Sequence, residues 1–138
     1  MALPPQKFRE LVFQLLFSED IGKPDETDMV PLMMHELAVT RKSVLLAQER
    51  VKALRQHLPD IDAMIAKVST SYDFSRIHTV IKNILRLGVF ELFFEQGIPP
   101  RVAIAEAMRL ARKFGTPESS SFVNALLDHL YQPSLLFG

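Results

Sequence analysis

Apolar residues recur at helical spacing along nearly the whole chain, and strand-like alternation is almost absent. The first stretch, Lys7 to Glu19, places Phe8, Leu11, Val12, Leu15 and Leu16 on one helical face, and Gly22 and Pro24 end it. Residues 22–28 are polar and read as a loop. Helical character resumes near Met29, with Pro31 tolerated in a first turn, and runs with a break near Thr40 to Leu58. Val44, Ala47, Val51, Leu54 and Leu58 form the apolar stripe of its second half. Pro59 is expected to stop it, and Asp60 to N-cap a short helix through Lys67.

The polar run Ser69, Thr70, Ser71 is the expected boundary between two sub-bundles, about 1–70 and 71–134. Ser75 is placed to cap the next helix, which continues to about Phe94. That helix is apolar around most of its circumference, through Ile77, Val80, Ile81, Ile84, Leu85, Leu87, Val89, Leu92 and Phe93, so it belongs in the middle of a bundle. Gly97, Pro99 and Pro100 make a turn, and a helix from Arg101 to Phe114 follows, with Gly115 in a C′ role. Ser119 or Ser120 caps the last helix, which turns Phe122, Val123, Leu126, Leu127 and Leu130 inward. The tail after Pro133 reads as loose. The sum is an all-α bundle of about seven helices in two packed sub-bundles, forming one domain.

Composition narrows the class. The chain has 138 residues, 48% of them hydrophobic, enough for a core. It has no cysteine, so disulfide frameworks, thiolate nucleophiles and cysteine zinc sites are excluded. No secretory leader and no membrane-length apolar run is visible, and the expectation is a cytoplasmic protein. Sixteen basic residues balance sixteen acidic ones, which argues against generic nucleic-acid binding while leaving room for a local basic surface.

Catalytic chemistry is hard to assemble. His35, His57, His78 and His129 do not pair at metal-binding helical spacing, and no glycine-rich phosphate loop or Gly-x-Ser-x-Gly occurs. Glu91 and Glu106 form an imaginable carboxylate pair, but carboxylates on apolar helices are normally matched to bases, here Arg86, Arg109 or Lys113. Neither a metal nor a cofactor is expected, and the chain does not read as an enzyme.

Three stretches carry a resemblance. They are Tyr72-Asp73-Phe74-Ser75-Arg76-Ile77 leading into 84–92; Ile98-Pro99-Pro100-Arg101-Val102-Ala103-Ile104-Ala105-Glu106-Ala107 running on to Gly115; and Ser121-Phe122-Val123-Asn124-Ala125-Leu126-Leu127-Asp128. In this order and spacing they resemble the NusB family of transcription antitermination factors, and Arg9-Glu10 with Gln14 to Ser18 looks like that family's first helix. The resemblance is dense from Tyr72 to Leu130 and thin from Gly22 to Ser71. It implies binding of the boxA element of ribosomal RNA transcripts jointly with the ribosomal protein NusE, in a complex that carries RNA polymerase through terminators.

Single-stranded RNA is held by cations on phosphates and rings on bases. On the first helix Lys7, Arg9, Gln14 and Phe17 are the RNA-binding candidates, with Pro4, Pro5 and Gln6 where the family has an arginine-rich segment. The competing reading makes Phe17 a core ring and pairs Arg9 with a nearby acid. Arg41, Gln48, Lys52 and Arg55 form a second row on one helix edge, equally readable as a solvated face. Tyr72 either stacks on a base or packs at the junction of the sub-bundles. The resemblance also marks Glu118, Phe122 and Ile81 as partner-binding positions, with Glu118 equally placed to contact the edge of the RNA. Ile81 stands where the family commonly has an acid, and Ala105 where it has asparagine before Glu106. NusB-like domains also precede ribosomal RNA cytosine methyltransferases, but that reading needs a methyltransferase domain beyond Gly138. A helical protein–protein interaction module with weak or no RNA binding is the alternative to the RNA adaptor.

Overall fold

The computed structural model describes residues 3–21, 38–69 and 76–131. Among them the chain is wholly helical, with α1 at Pro5–Ile21, α2 at Arg41–Gln56, α3 at Leu58–Val68, α4 at Thr79–Phe93, α5 at Pro100–Phe114 and α6 at Pro117–Tyr131. The helix expected from Met29 falls largely outside the described residues, as do the Ser75 cap and the tail after Pro133. The chain divides into two compact units, Met1–Arg55 and Gln56–Gly138.

In the first unit, α1 opens on Pro5, whose fixed φ suits a first turn, and the Phe8 amide donates to the Pro4 carbonyl at 2.9 Å. Leu11, Val12, Phe13, Leu15 and Leu16 are buried, as is Glu10. The expected break near Thr40 has a local cause: Ala38 adopts φ 53°, outside the helical region. Thr40 then caps α2, its hydroxyl accepting the Ser43 amide at 3.1 Å. Val44, Ala47, Val51 and Leu54 are buried, as their spacing requires.

In the second unit α4 packs against α3, α5 and α6. Ile84, Leu85, Val89 and Phe90 are buried, while Phe93 at its end is 40% exposed, outside the core expected of it. Gly88 sets the approach, because a Cβ there would stand 2.9 Å from Leu127 Cδ1 and 3.6 Å from the Ala107 Cβ. A helix buried on so many sides must satisfy its own polar groups. Arg86 donates to both carboxylate oxygens of Asp62 on α3, at 2.8 and 2.9 Å. It also donates to the Asn83 side-chain oxygen at 3.1 Å, and the Asn83 amide donates to the Thr79 carbonyl at 2.9 Å. Glu106 is matched to Arg109 at 3.1 Å, one of the pairings expected for the buried carboxylates. No buried side-chain nitrogen or oxygen among the described residues lacks a partner.

Several element ends differ from expectation. Pro59 does not terminate a helix but sits in the first turn of α3, and the interruption is at His57, with φ −107° and ψ 6°. Asp60 is therefore a first-turn acid near the positive helix end, not the cap. Helix α4 starts at Thr79, beyond the place expected from Ser75, because His78 is extended with ψ 140°. Helix α6 starts at Pro117, capped by Thr116, whose hydroxyl accepts the Ser119 amide at 3.1 Å. Ser119 and Ser120 thus lie inside the helix, and Ser120 accepts from Arg112 at 3.1 Å. Gly115 ends α5 at φ −123°, not in the left-handed C′ form. Its small size is what the site needs, since a Cβ would meet the Ala111 carbonyl oxygen at 2.8 Å. The polar run from Ser69 also does not separate the two compact units. Helix α3 precedes it and belongs with α4, through Arg86–Asp62 and packing on α4 and α6.

Leu85 is fully buried, so Leu85→Ala is expected to cost about 2–5 kcal/mol in denaturant melts; a loss below about 1 kcal/mol would show that its methyls are not packed. Asp62→Ala leaves a largely buried guanidinium without its carboxylate and is expected to cost about 2–3 kcal/mol, given the partial exposure of Asp62. Adding Arg86→Leu should recover most of that loss, because replacing a whole buried pair is far milder than orphaning one member.

Candidate nucleic-acid and partner interfaces

The first unit holds the two basic rows. On α1, Lys7 is exposed and Arg9, Gln14 and Phe17 are half-buried. Two residues along a helix turn about 200° around its axis, so Lys7 and Arg9 leave α1 on opposite sides. Phe17 stacks on Phe13, with centroids 6.1 Å apart and planes at 25°. The ring is anchored to a buried neighbour and keeps part of its surface in solvent. Phe17 is thus neither wholly a core ring nor wholly exposed.

On α2, Arg41, Lys52 and Arg55 are exposed and Gln48 is half-buried. At about 100° per residue the four fall within a narrow strip beside the buried stripe, as the spacing requires. The cations are not equally available. Arg55 forms an ion pair with Glu19 of α1, and Lys52 lies 3.9 Å from Glu49 on its own helix. Sequence reasoning missed Arg50, whose guanidinium carbon lies 5.6 Å from the Phe8 ring centroid. Phe8 and Glu19 are three helical turns apart, on one face of α1. Arg50 and Arg55 flank the buried stripe of α2, so two arginines bracket the contact between these helices. No local motif marks such a pairing; it depends on which helix faces meet.

Leu45 and Leu46 are 42% and 52% exposed. With Arg41, Lys42 and Lys52 they border an open depression of about 480 Å³. Tyr72 lies outside the described residues.

In the second unit, Ile81, Glu118 and Phe122 come together. With Arg76, Ile77, His78 and Ser119 they line a cleft of about 320 Å³. Ile77 and Ile81 are buried in its floor, Phe122 is half-buried, and Glu118 is exposed at the rim. Ile81 is held by the end of α5, since a Cβ on Gly115 would stand 3.1 Å from its Cδ1. A larger groove of about 760 Å³ runs along Pro99, Val102, Met108 and Tyr131. It holds none of the candidate binding residues, and its charged lining is limited to Arg101 and Asp128, so its size alone does not make it the site. Of the histidines, His57 stacks on Phe94 at 4.3 Å, and His78 and His129 are exposed. Among the described residues no three His, Asp or Glu side chains gather as a metal site would need. None of the described helices is long and apolar enough to cross a membrane.

A model of the NusB family matches residues 6–132. The chain belongs to the NusB family. The transcription antitermination protein NusB of Chlamydia pneumoniae is 35% identical over 133 residues, 96% of this chain and 83% of that protein. That of a Nitratiruptor species is 38% identical over 120 residues, 87% of this chain and 86% of that protein. The fold agrees with T. maritima NusB, 29% identical, with a TM-score of 0.81 over 96% of this chain and 93% of that one. It also agrees with a chain from a crystal structure of the antitermination factors NusB and NusE with double-stranded RNA, at 24% identity and a TM-score of 0.78. The NusB match extends through the segment before Tyr72 where the sequence resemblance was thin, and its far end reaches past α6.

Gly115→Ala is expected to destabilise the second unit by about 1–3 kcal/mol, because the new methyl meets a backbone carbonyl that cannot rotate away. It should also displace Ile81 at the cleft floor. Shifts in the Ile81 and Phe122 side-chain resonances would register that; unchanged resonances would show that the turn and cleft are independent.

Proposed function

We propose that this chain is a transcription antitermination adaptor. It binds boxA-type single-stranded RNA of ribosomal RNA transcripts together with NusE, within the antiterminating RNA polymerase complex, and it has no catalytic step of its own. The observation that carries the reading is the NusB match across residues 6–132, with relatives about a third identical that are named transcription antitermination proteins. In this reading Lys7 and Arg9, with Arg41, Lys52 and Arg55, contact phosphates. Gln14 offers hydrogen bonds, Phe17 its exposed ring surface, and Tyr72 a further ring. The partner is assigned to the cleft of Ile81, Glu118 and Phe122. An apolar floor with a charged rim suits one buried anchor side chain and a base near Glu118.

The second reading, a protein–protein module with weak RNA binding, is favoured by one feature. Two of the three cations in the α2 row already face a carboxylate, in a chain of zero net charge.

Anisotropy titrations of boxA-type RNA across a salt series, with and without NusE, separate the two. Arg9→Ala is expected to weaken binding of all sequences similarly and to flatten the salt dependence by about 0.7 in slope, one phosphate contact on a single strand. If affinity and slope both stay unchanged in a folded variant, RNA does not use α1, and the interaction module becomes the better account.

A further inference from the structure

We infer that Glu19 competes with RNA phosphate for Arg55, so that the fold holds part of its RNA-binding charge in reserve; this rests on the RNA-binding reading above. Arg55 and Glu19 are 36 positions apart and on different helices, so their ion pair is made by the packing of α1 on α2. Their side chains are 46% and 33% exposed. The guanidinium is therefore reachable from solvent while already engaged by an anion. Carboxylate and phosphate use the same planar donor fork, so an RNA phosphate arriving at Arg55 finds Glu19 in its place. The Lys52–Glu49 pair differs. It lies at the edge of ion-pair range, at 3.9 Å, links helical neighbours and is more exposed on both sides, so water and salt loosen it at little cost.

The consequence is specific to Arg55. A ligand with one phosphate to offer gains little there, because it gives up one ion pair to form another. Even a strand placed by Arg9 and Arg41 meets Arg55 only when Glu19 swings aside, so in the unchanged protein Arg55 stays largely out of the RNA contact. Net charge alone would not reveal this, since the acid is counted but its partner is not.

The test uses the full chain in four forms: unchanged, Glu19→Gln, Arg55→Ala and the double variant, each shown folded by circular dichroism. A fluorescent boxA-type RNA oligonucleotide is titrated by anisotropy over a salt series. Glu19→Gln is expected to tighten binding about two- to five-fold, the worth of one exposed pair. It should also steepen the salt slope by about 0.7, as one more phosphate is neutralised. In the Arg55→Ala background the same change should do nothing. Unchanged or weaker binding by Glu19→Gln overturns the inference, since Glu19 would then hold Arg55 in a useful position or Arg55 would not meet RNA. An equal gain with Arg55 absent also overturns it, showing only the loss of one negative charge. Failure of the RNA reading looks different: Arg9→Ala would then have no effect on affinity or slope.

Discussion

The second unit depends on α4 being surrounded. A helix that packs on three others has almost no solvent for its polar groups, so each must find a partner inside or carry a desolvation cost of about 1–3 kcal/mol. Asn83 returns to its own helix through the Thr79 carbonyl, and Arg86 reaches Asp62 on α3. The same crowding explains Gly88, where any side chain would enter the space of Leu127. Apolar burial supplies most of the stabilisation, but it has no direction. The Arg86 fork and the gap at Gly88 are directional, and they select one arrangement of α3, α5 and α6 among the many that would bury the same leucines.

Much of this architecture was legible in the chain. Spacing alone placed Val44, Ala47, Val51 and Leu54 on one buried stripe and identified the α4 segment as a central helix. Helix ends were less legible, because several residues can serve as a cap and only geometry decides. Thr116 caps α6 although Ser119 and Ser120 follow it, since Pro117 suits the first helical position and Thr116 alone precedes it. Proline at position 59 was ambiguous in the same way, because it both ends one helix and begins another well.

The candidate interfaces divide along a similar line. The single-edge row Arg41, Gln48, Lys52 and Arg55 follows from helical arithmetic, and so does the exposure of Leu45 and Leu46, which lie off the stripe. That Glu19 faces Arg55 and that Arg50 covers Phe8 does not follow, because it depends on how two separate helices cross. The cleft joining Ile81 to Glu118 and Phe122 is a tertiary fact of the same kind, since it gathers residues from α4 and α6. The NusB match adds what no single helix could, a common order of elements over nearly the whole chain.

Heat gives the Arg86–Asp62 pair a further role. Hydration of charged groups becomes less favourable as temperature rises, so the cost of holding this pair away from water shrinks on warming, while apolar burial gains little per unit area. The balance of attraction against desolvation in the link between α3 and α4 therefore improves as the molecule approaches its melting range. Helix α3 has only Ile61 and Ile65 fully buried, so on apolar contacts alone it would be an early element to peel away. The share of its attachment that rests on the Arg86 pair therefore grows on warming.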